Sequence, residues 1–592
     1  MNEKVIISVC VGTGGMAAGA LDVIKAFETE LAGRGVEAEF KKRCEVHKVG
    51  CRGFCAKDVL VDVTDAGKTR TYQNISAGMA PRIVDEHILQ GNPVTEWAVG
   101  PEYATFHGKQ HKLVLAECGI IDPEEIGSYM EHGGYKAAAK ALLKLHPDEI
   151  INEIKKSGLR GRGGAGFPTG MKWEFCRKAP GTRKCVICNA DEGDPGAFMD
   201  RSVVEGNPHS VIEGMLIGAF AIGANEGYVY IRAEYPLAVE RLKRAIGQAR
   251  ESGWLGKDIQ GSGCDFDIRI GLGAGAFVCG EETALIASLE GQIGEPRPKP
   301  PFPANKGLWG MPTNINNVET WATVPKIINN GAPWFSGIGS EKSKGTKIFS
   351  LVGKIKNTGL VEVPMGMPLK EIIYDIGGGV PDGKKLKAVQ TGGPSGGCIT
   401  ADYIETPVDY ESLGALGSIM GSGGMVVMDE DTCMVDVARF FLSFCMDESC
   451  GQCTPCREGT KEMVRLLEEI TKGEGTPEHI TMLEEICAAM KEASLCGLGK
   501  TAPNPVLSTL KYFRHEYDAH IFEKKCPAAA CRALINFRID ENRCKGCGMC
   551  LRNCPQGAIT GQKKKPHTVD PDKCIKCGAC LDSCKFGAVS KA

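Results

Sequence analysis

Hydrophobic and polar positions change their period along the chain, and this pattern predicts both strands and helices. Near the N-terminus, Lys4–Val11 and Ala38–Val49 are predicted strands, and Met16–Leu31 is a predicted helix between them. Further along, Pro147–Ser157 has the apolar stripe of an amphipathic helix, and Lys184–Cys188 is a short apolar strand. This part of the chain is therefore predicted to have α/β architecture.

The pattern differs in the second half of the chain. Residues from Thr346 to about Val427 are β-rich, whereas Lys461–Lys472 and Pro477–Ala493 are predicted helices with an apolar stripe. We expect a multidomain α/β and α+β protein. The expected boundaries enclose residues 1–90, 91–150, 151–340, 341–430, 431–525 and 526–592.

Length and charge narrow the class of protein. The 592 residues far exceed the size of one domain. A formal net charge of −3 and an isoelectric point of about 6.5 argue against a nucleic-acid partner or a polybasic membrane contact. No apolar run approaches the roughly 20 residues that span a bilayer, and a strand-like segment follows Met1–Lys4 in place of a signal peptide. We expect a soluble, cytoplasmic protein.

The 28 cysteines are the unusual feature of the composition. They cluster in Cys-x-x-Cys spacings, and in a chain without an export signal this argues for metal centres and against disulfides. The clearest case is near the C-terminus, where a run of four cysteines is repeated thirty residues later. In two-cluster ferredoxins the fourth cysteine of each run ligates the other cluster. The predicted [4Fe–4S] ligands are Cys544, Cys547, Cys550 and Cys584 for one cluster, and Cys554, Cys574, Cys577 and Cys580 for the other.

A third iron–sulfur motif precedes this repeat. Cys450, Cys453 and Cys456 present three thiolates with the spacing of a [4Fe–4S] cluster, so a fourth ligand must come from elsewhere. Cys487 falls on the apolar side of a predicted helix and is expected to be a core residue.

The segment Gly158–Phe175 carries candidate chemistry of another kind. It holds many glycines and two arginines, a combination that favours close approach of the backbone to a phosphate. Gly161, Gly163 and Gly166 match a dinucleotide-binding pattern, but a predicted helix precedes them where a Rossmann fold requires a strand. Phe167, Trp173 and Phe175 follow at once, which predicts a cradle for a phosphorylated aromatic cofactor.

Three more polar or glycine-rich segments follow in order. They are Asn189–Gly196 after the predicted strand, Gly271–Leu285, and the loop from Lys299 to Thr320. Ligands of α/β sheets bind at the carboxyl ends of strands, and amide groups in such loops can hydrogen-bond a flavin. One such loop alone would be weak support for a ligand site, but the ordered set is specific.

With these segments, residues from about 115 to 515 resemble the NADH-oxidising flavoprotein subunit of respiratory complex I and its soluble relatives. The resemblance implies FMN held by Gly161, Arg162, Gly163, Lys172, Asn189, Asp191, Glu192, Gly280, Glu281, Asn316 and Asn317. It also implies NAD(H) bound by Phe167, Phe175, Asp194, Glu282, Lys299 and Phe302. Glu281 and Glu282 would tune the flavin environment, and no protein nucleophile is required.

The resemblance extends to other regions. It implies Cys496 as the remote ligand of the Cys450 cluster, and a ubiquitin-like (SLBB-type) β-grasp domain over 341–430, for which we expect a spacer role. It implies an FMN/NAD(H)-binding domain over 151–340, a helical [4Fe–4S] bundle over 431–525 and a ferredoxin-like domain over 526–592. Two positions depart from the family pattern: Asp194 replaces a common glutamate, and Phe277 replaces a common tyrosine.

Residues 1–90 resemble the thioredoxin-like [2Fe–2S] domain that accompanies such flavoproteins, and residues 91–150 form a connector with helices. In the family a cysteine commonly follows the first one after five residues, but here that position is Gly15. We therefore expect Cys10, Cys44, Cys51 and Cys55 as the four ligands. The alternative is that Cys44 is an ordinary strand cysteine and the domain has lost its cluster.

A smaller group, His520, Cys526 and Cys531, precedes the ferredoxin unit. It is either incidental or a structural zinc site, with Cys445 as the fourth ligand.

The complex I subunit lacks the C-terminal ferredoxin unit, whereas the β subunit of soluble NAD-linked, electron-bifurcating [FeFe]-hydrogenases carries it. The resemblance therefore implies NADH oxidation through FMN, with a catalytic hydrogenase chain, a small [2Fe–2S] subunit and ferredoxin as partners in a hetero-oligomer. One alternative is the equivalent subunit of an NAD-dependent formate dehydrogenase. An alternative of another class is a non-catalytic electron-relay scaffold.

Overall fold

The computed structural model describes residues 4–33 and 43–591. It divides into two compact units, one formed by Met1–Val427 with Leu495–Gly497 and the other by Met428–Ser494 with Leu498–Ala592. The start of the strand predicted from Ala38 lies outside the described residues. Among the described residues, every helix is too short or too polar to cross a membrane.

The N-terminal part of the first unit is a small α/β domain. Its sheet has the order β2-β1-β3-β4, with β1 and β2 parallel and the other neighbours antiparallel. The predicted helix Met16–Leu31 is two helices, because Gly19 adopts a φ of 91° that ends the first one. The elements are β1 (Lys4–Cys10), α1 (Thr13–Ala17), α2 (Ala20–Gly33), β2 (Arg43–Val49), β3 (Val61–Asp65), β4 (Lys68–Tyr72), α3 (Ala80–Arg82) and a π-helix over Ile83–Leu89.

Four parallel strands in the order β7-β6-β5-β8 form the sheet of the next domain. Strand β5 is apolar and buried at nearly every position, because a parallel sheet is covered on both faces. Its elements, with the helices that lead into it, are α4 (Pro101–Gly108), α5 (Ile126–Glu131), α6 (Lys136–Lys144), α7 (Pro147–Ser157), α8 (Thr169–Lys178), β5 (Cys185–Ala190), α9 (Met199–Gly206), α10 (Pro208–Ile222), β6 (Glu226–Arg232), α11 (Pro236–Glu251), β7 (Asp267–Gly273), α12 (Glu282–Leu289), β8 (Thr313–Asn317), α13 (Val318–Asn330) and α14 (Ala332–Ser336).

A five-stranded sheet of order β10-β9-β13-β11-β12 follows in the same unit. A buried ion pair between Lys347 and Glu319 joins its first strand to helix α13 of the preceding domain. The elements are β9 (Thr346–Gly353), β10 (Gly359–Pro364), a π-helix over Glu371–Ile376, β11 (Leu386–Thr391), β12 (Gly397–Thr400), α15 (Tyr410–Ala415) and β13 (Gly424–Asp429).

The second unit is a helical bundle followed by a small domain. This domain has two short antiparallel sheets of two strands each, β14 with β17 and β15 with β16. Both helices predicted from the apolar stripe are present, and Cys487 is buried in the bundle as expected. The elements are α16 (Met434–Asp447), α17 (Thr454–Lys472), α18 (Pro477–Ala493), α19 (Gly497–Thr501), α20 (Asn504–Tyr512), α21 (Arg514–Asp518), a π-helix over Ala519–Glu523, β14 (Phe537–Ile539), α22 (Met549–Asn553), β15 (Ile559–Thr560), β16 (Thr568–Val569), α23 (Ala579–Asp582) and β17 (Val589–Lys591).

Candidate functional site

The parallel sheet brings polar residues from several strands to one edge. Asn189 near the end of β5 pairs with Asn317 at the end of β8 and with Tyr230 of β6. The carboxyl ends of parallel strands meet at one edge, where α/β sheets bind ligands. The Asn189 amide donates a hydrogen bond to the carbonyl oxygen of Gly280 at 2.9 Å, so the loop before α12 joins this edge.

Two glycine positions at this edge leave the backbone open. Among the described residues, a Cβ on Gly161 would meet one atom within 4 Å, the carbonyl oxygen of Phe167 at 3.6 Å. A Cβ on Gly280 would likewise meet one atom, the carbonyl oxygen of Asp191 at 3.6 Å. A bare backbone that borders empty space is what a closely bound phosphate or flavin requires, so these residues fit FMN.

Arg162 supports the glycine loop from inside. Only 1% of the residue is exposed. Its guanidinium donates to the carbonyl oxygens of Arg160 at 3.0 Å and of Lys344 at 2.5 Å. Its backbone N–H donates to the hydroxyl of Thr320 on α13 at 2.8 Å. Its side chain therefore fixes the course of the loop, which leaves the neighbouring backbone as the part that faces a ligand.

Four charged side chains form a network beside the loop. Lys299 Nζ lies 3.0 Å from a Glu281 oxygen and 2.9 Å from a Glu282 oxygen. Lys172 Nζ lies 3.4 Å from Glu282 and donates to the carbonyl oxygen of Ile315 at 2.7 Å. Burial of Glu282 favours its neutral form, but Lys172 and Lys299 outweigh this and lower its pKa. Glu282 is therefore held as a carboxylate between two ammonium groups.

Three of the residues expected to bind FMN cap helices with their side chains. Glu192 accepts from the N–H groups of Asp200 and Arg201 at 3.0 and 3.1 Å, at the start of α9. Asn317 accepts from Glu319 N–H at 2.9 Å at the start of α13, and Glu281 caps α12 in the same way. Each cap positions a polar loop at the sheet edge, so these side chains shape the site by holding its walls.

Trp173 does not line the ligand site as the sequence suggested. It is fully buried, its ring stacks against Trp321 at 5.6 Å between centroids, and its indole N–H donates to Asn316 Oδ1 at 3.0 Å. The helical period of α8 explains this, because Trp173 lies on the face opposite to Phe175. Phe167, Phe175 and Phe302 are in contrast about half exposed, at 47%, 47% and 53%. Exposed phenylalanines beside open backbone suit a stacked aromatic ligand.

In the C-terminal domain, the cysteines of the repeat gather around two small cavities. Each cavity is lined by the first three cysteines of one run and the fourth cysteine of the other, which is the crossed arrangement expected from the spacing. One contains Cys544, Cys547, Cys550 and Cys584, and the other contains Cys554, Cys574, Cys577 and Cys580.

The Cys450 motif lies at the start of α17. Cys456 is buried on the first turn of the helix, and Ser449 Oγ lies 3.2 Å from its Sγ. The positive end of a helix dipole favours the negative charge of a thiolate-bound cluster. Gly499, which follows Cys496 closely in the sequence, approaches Cys456: a Cβ on Gly499 would lie 3.0 Å from the Cβ of Cys456 and 2.7 Å from that of Ser494.

The predicted zinc group is present with one ligand exchanged. His520, Cys526 and Cys531 are buried together, and Cys433 completes the group with all ligand atoms within 4.8 Å of one another. His520 Nε2 lies 3.5 Å from Cys433 Sγ and 3.3 Å from Cys531 Sγ. Its Nδ1 bonds the carbonyl oxygen of Glu516 at 2.7 Å, which orients the ring. These spacings fit a tetrahedral zinc ion.

The prediction of Cys445 as the fourth zinc ligand was wrong. Cys433 immediately precedes α16, whereas Cys445 lies near the other end of that helix, on its buried face. Cys445 is closer in the sequence to His520, Cys526 and Cys531, but the fold brings the start of α16, where Cys433 lies, to the site.

The prediction of Cys44 as a [2Fe–2S] ligand was also wrong. Cys51 Sγ and Cys55 Sγ lie 3.6 Å apart, and Cys10 lies beside Cys51. Cys44, however, pairs with Val5 at the beginning of β1, whereas Cys10 ends that strand and pairs with Val49. Five residues of strand separate the two cysteines by about 16 Å. Cys44 packs against the apolar core of the domain instead.

Comparison with known proteins decides the family. The profile of the Nuo51 FMN-binding domain matches residues 154–326, and that of the NADH-ubiquinone oxidoreductase-F iron-sulfur binding region matches 436–520. An NADH-quinone oxidoreductase subunit of Rhizobium meliloti is 48% identical over 415 residues, which covers 70% of this chain and 99% of that protein. The chain belongs to the complex I NADH-oxidising flavoprotein family.

Other comparisons extend over the remaining domains of this flavoprotein. An SLBB domain matches residues 348–399, and a 4Fe-4S dicluster domain matches 543–588. NADP-reducing hydrogenase subunit HndC of Solidesulfovibrio fructosivorans is 59% identical over 463 residues, covering 78% of this chain and 94% of that protein. The crystal structure of an NAD⁺-reducing [NiFe]-hydrogenase in the H₂-reduced state aligns with a TM-score of 0.62 and 31% identity, over 87% of this chain and 85% of that one.

The SLBB domain of the flavoprotein does more than separate its neighbours. Tyr410 donates its hydroxyl to the carbonyl oxygen of Gly161 at 2.7 Å, and the Arg160 guanidinium lies 4.1 Å from the centre of its ring. Ser422 donates to Asp194 at 2.6 Å. Burial raises the pKa of Asp194 to about 6, although this hydrogen bond opposes the shift. Sequence reasoning missed Tyr410 and Ser422 because neither belongs to a motif, and only the fold brings them to the loop.

Substitution of either open glycine should remove flavin without unfolding this flavoprotein. The added methyl group of Gly161→Ala or Gly280→Ala enters empty space in the chain itself but would overlap a bound flavin. At about 1–3 kcal/mol for overpacking, the flavin should dissociate about 10 to 100 times more readily. FMN per chain and the melting temperature are measured together. Gly247→Ala on α11, which meets no atom within 4 Å, is the matched control. Normal flavin content in both cradle variants would contradict this placement.

Metal analysis separates the two zinc assignments. Cys433→Ala should lose the zinc and lower the melting temperature, because a buried thiolate ligand is removed. Cys445→Ala should keep a full equivalent of zinc. The measurement is zinc per chain by mass spectrometry, and zinc loss in Cys445→Ala alone would overturn the assignment of Cys433.

Proposed function

We propose that this chain is the NADH-oxidising subunit of a soluble, cytoplasmic, electron-bifurcating [FeFe]-hydrogenase that uses NAD(H) and ferredoxin. Two features of this one chain support the proposal. The first is an open glycine cradle beside exposed phenylalanines, and the second is a pair of cavities lined by four cysteines each. FMN, when bound, supplies the exchange between two-electron hydride chemistry and one-electron transfer.

The residues of the sheet edge have separate roles in this proposal. The open backbone at Gly161 and Gly280 accommodates the flavin and its phosphate, and Arg162 holds the loop in place. The ammonium groups of Lys172 and Lys299, each beside Glu282, provide positive charge for an anionic dinucleotide. Phe167, Phe175 and Phe302 shield the nicotinamide from water. No protein nucleophile or general acid is needed.

Iron–sulfur clusters held by cysteines of this chain would accept those electrons one at a time. We assign one [4Fe–4S] cluster to Cys450, Cys453, Cys456 and Cys496, supported by the close approach of Gly499, which follows Cys496 closely in the sequence, to Cys456. The cysteine-lined cavities of the dicluster domain would hold two more, and the N-terminal domain would hold a [2Fe–2S] cluster.

The zinc group has a structural role in this proposal. Arg532, next to Cys531, donates to the carbonyl oxygen of Ile575 at 3.0 Å. The zinc loop is thereby tied to the dicluster domain, and a bound zinc ion would hold that connection in place without carrying electrons.

The names of two relatives support a hydrogenase assembly. HndC is named as a subunit of an NADP-reducing hydrogenase, and the aligned crystal structure is an NAD⁺-reducing hydrogenase. We therefore propose a catalytic [FeFe]-hydrogenase chain, a small [2Fe–2S] subunit and ferredoxin as partners. Affinity purification from the native cell tests this. An iron-only hydrogenase chain should co-purify, and a molybdenum or tungsten chain would instead identify a formate dehydrogenase.

Catalysis by the isolated, reconstituted chain tests the proposed chemistry. It should reduce a viologen dye with NADH. Lys299→Ala removes a cation that neighbours two carboxylates, and a charged hydrogen bond is worth about 1.5–3 kcal/mol, so kcat/KM for NADH should fall about 10-fold to 100-fold. Lys306→Ala, in the same loop and exposed, is the control. A chain that holds no flavin and reduces no dye would instead be a relay scaffold.

A further inference from the structure

The N-terminal domain contains a compact group of metal ligands that the cysteine pattern does not reveal. Cys10 Sγ, Cys51 Sγ and a carboxylate oxygen of Asp58 all lie within 4.8 Å of one another. Cys55 Sγ lies 3.6 Å from Cys51 Sγ. The strand register excludes Cys44 from this place, since it puts that residue at the opposite end of β1. Three thiolates and one carboxylate therefore converge where four thiolates were expected.

The geometry of the four atoms suits two metal ions better than one. Two thiolates on one tetrahedral metal, with bonds of about 2.3 Å, lie about 3.7 Å apart. Cys51 and Cys55, at 3.6 Å, have this spacing. Cys55 nevertheless lies outside the group of three, so its Sγ is more than 4.8 Å from Cys10 Sγ or from the Asp58 carboxylate. The four ligand atoms therefore extend beyond the about 3.7 Å that separates two ligands of one tetrahedral ion.

The loop after β1 and the beginning of α1 pack closely against these side chains. A Cβ on Gly12 would lie 2.9 Å from the Cβ of Cys51, and a Cβ on Gly14 would lie 2.9 Å from Asp58 Oδ2. A Cβ on Gly15 would lie 3.7 Å from Cys10 Sγ but only 2.3 Å from the Cys10 carbonyl oxygen. A cysteine at position 15 therefore does not fit this backbone.

One carboxylate oxygen of Asp58 lacks a hydrogen-bond donor among the described residues. This oxygen, Oδ1, is buried. A buried carboxylate oxygen without a donor is costly, and coordination to a cation removes that cost. The backbone N–H of Gly53 meanwhile donates to Cys51 Sγ at 3.3 Å, as amides commonly do to cluster thiolates.

The group is held rigidly against the flavin-binding domain of the same unit. Thr13 donates its N–H and its hydroxyl to the two oxygens of Glu205 on α9, at 2.9 and 2.5 Å. The Arg241 guanidinium donates to the carbonyl oxygens of Val11 at 3.0 Å and of Glu205 at 2.7 Å. The loop that follows Cys10 is thus fixed at two points, which preorganises the ligands.

From this geometry we propose that Asp58 is the fourth ligand of the N-terminal [2Fe–2S] cluster. Cys51 and Cys55 bind one iron, and Cys10 and Asp58 bind the other. The inference rests on the proposed N-terminal cluster and changes its ligand set. Replacement of thiolate by a harder donor alters the electronic structure of one iron, as nitrogen ligands do in Rieske centres.

Spectroscopy of the full-length, anaerobically reconstituted chain tests the proposal. The variants are Asp58→Ala and Asp58→Cys, with Cys51→Ala as a ligand control and Cys44→Ala as a matched cysteine control. Iron content, visible circular dichroism and the EPR signal of the reduced [2Fe–2S] centre are recorded, the EPR at a temperature at which [4Fe–4S] signals broaden. The melting temperature of each variant checks its folding.

The expected results differ for each variant. Asp58→Ala should lose about two iron atoms per chain and the [2Fe–2S] signal, as should Cys51→Ala. Asp58→Cys should retain the iron but shift the circular dichroism and the g values to those of an all-thiolate cluster. Cys44→Ala should match the wild type in every measurement.

Two different results would overturn the proposal. If the wild type holds a [2Fe–2S] cluster and both Asp58 variants keep unaltered iron content, circular dichroism and g values, Asp58 is not a ligand although the cluster exists. If the wild type lacks a [2Fe–2S] signal and Cys51→Ala loses no iron, the N-terminal cluster itself is absent. The flavin chemistry proposed above would survive either result.

Discussion

The flavin-binding edge depends on keeping a short stretch of backbone uncovered inside a densely packed unit. Several polar side chains near Gly161 hold this loop in place. Arg162 is tied to Arg160 and Lys344, Tyr410 reaches the loop from the SLBB domain, and Glu192 and Asn317 cap the helices behind it. The backbone at Gly161 is therefore kept open by these contacts and not by poor packing.

The metal sites follow a related principle. Thiolates repel one another when they are close, so each site couples local folding to metal binding. The dicluster domain closes each cavity with a cysteine from the other run, and the zinc group takes Cys433 from the start of a helix distant in sequence from His520. A ligand drawn from a separate segment makes each metal ion a cross-link between elements. This matters most in a small domain with few apolar residues to bury.

The spacing of residues in the sequence was enough to predict some of these features but not others. The glycine loops, the helices at Thr454–Lys472 and Pro477–Ala493 and the dicluster repeat depend on short-range patterns, which a single sequence displays directly. Cys44 and Cys445 were placed wrongly because strand register and helix position decide which cysteine reaches a site. Trp173 was misjudged because a ring beside a ligand loop and a ring in the core have the same local context. Asp58 was overlooked because a search for thiolates does not consider a carboxylate.

We propose that NADH delivers electrons through a flavin bound at this sheet edge into iron held by the same chain. An anaerobic titration of the reconstituted protein with NADH, followed at once by visible absorbance and EPR, tests it most directly. With each addition of NADH, flavin absorbance should bleach and the EPR signals of reduced [4Fe–4S] clusters should rise. Flavin that bleaches while all the iron stays oxidised, or a chain that holds no flavin at all, would contradict it.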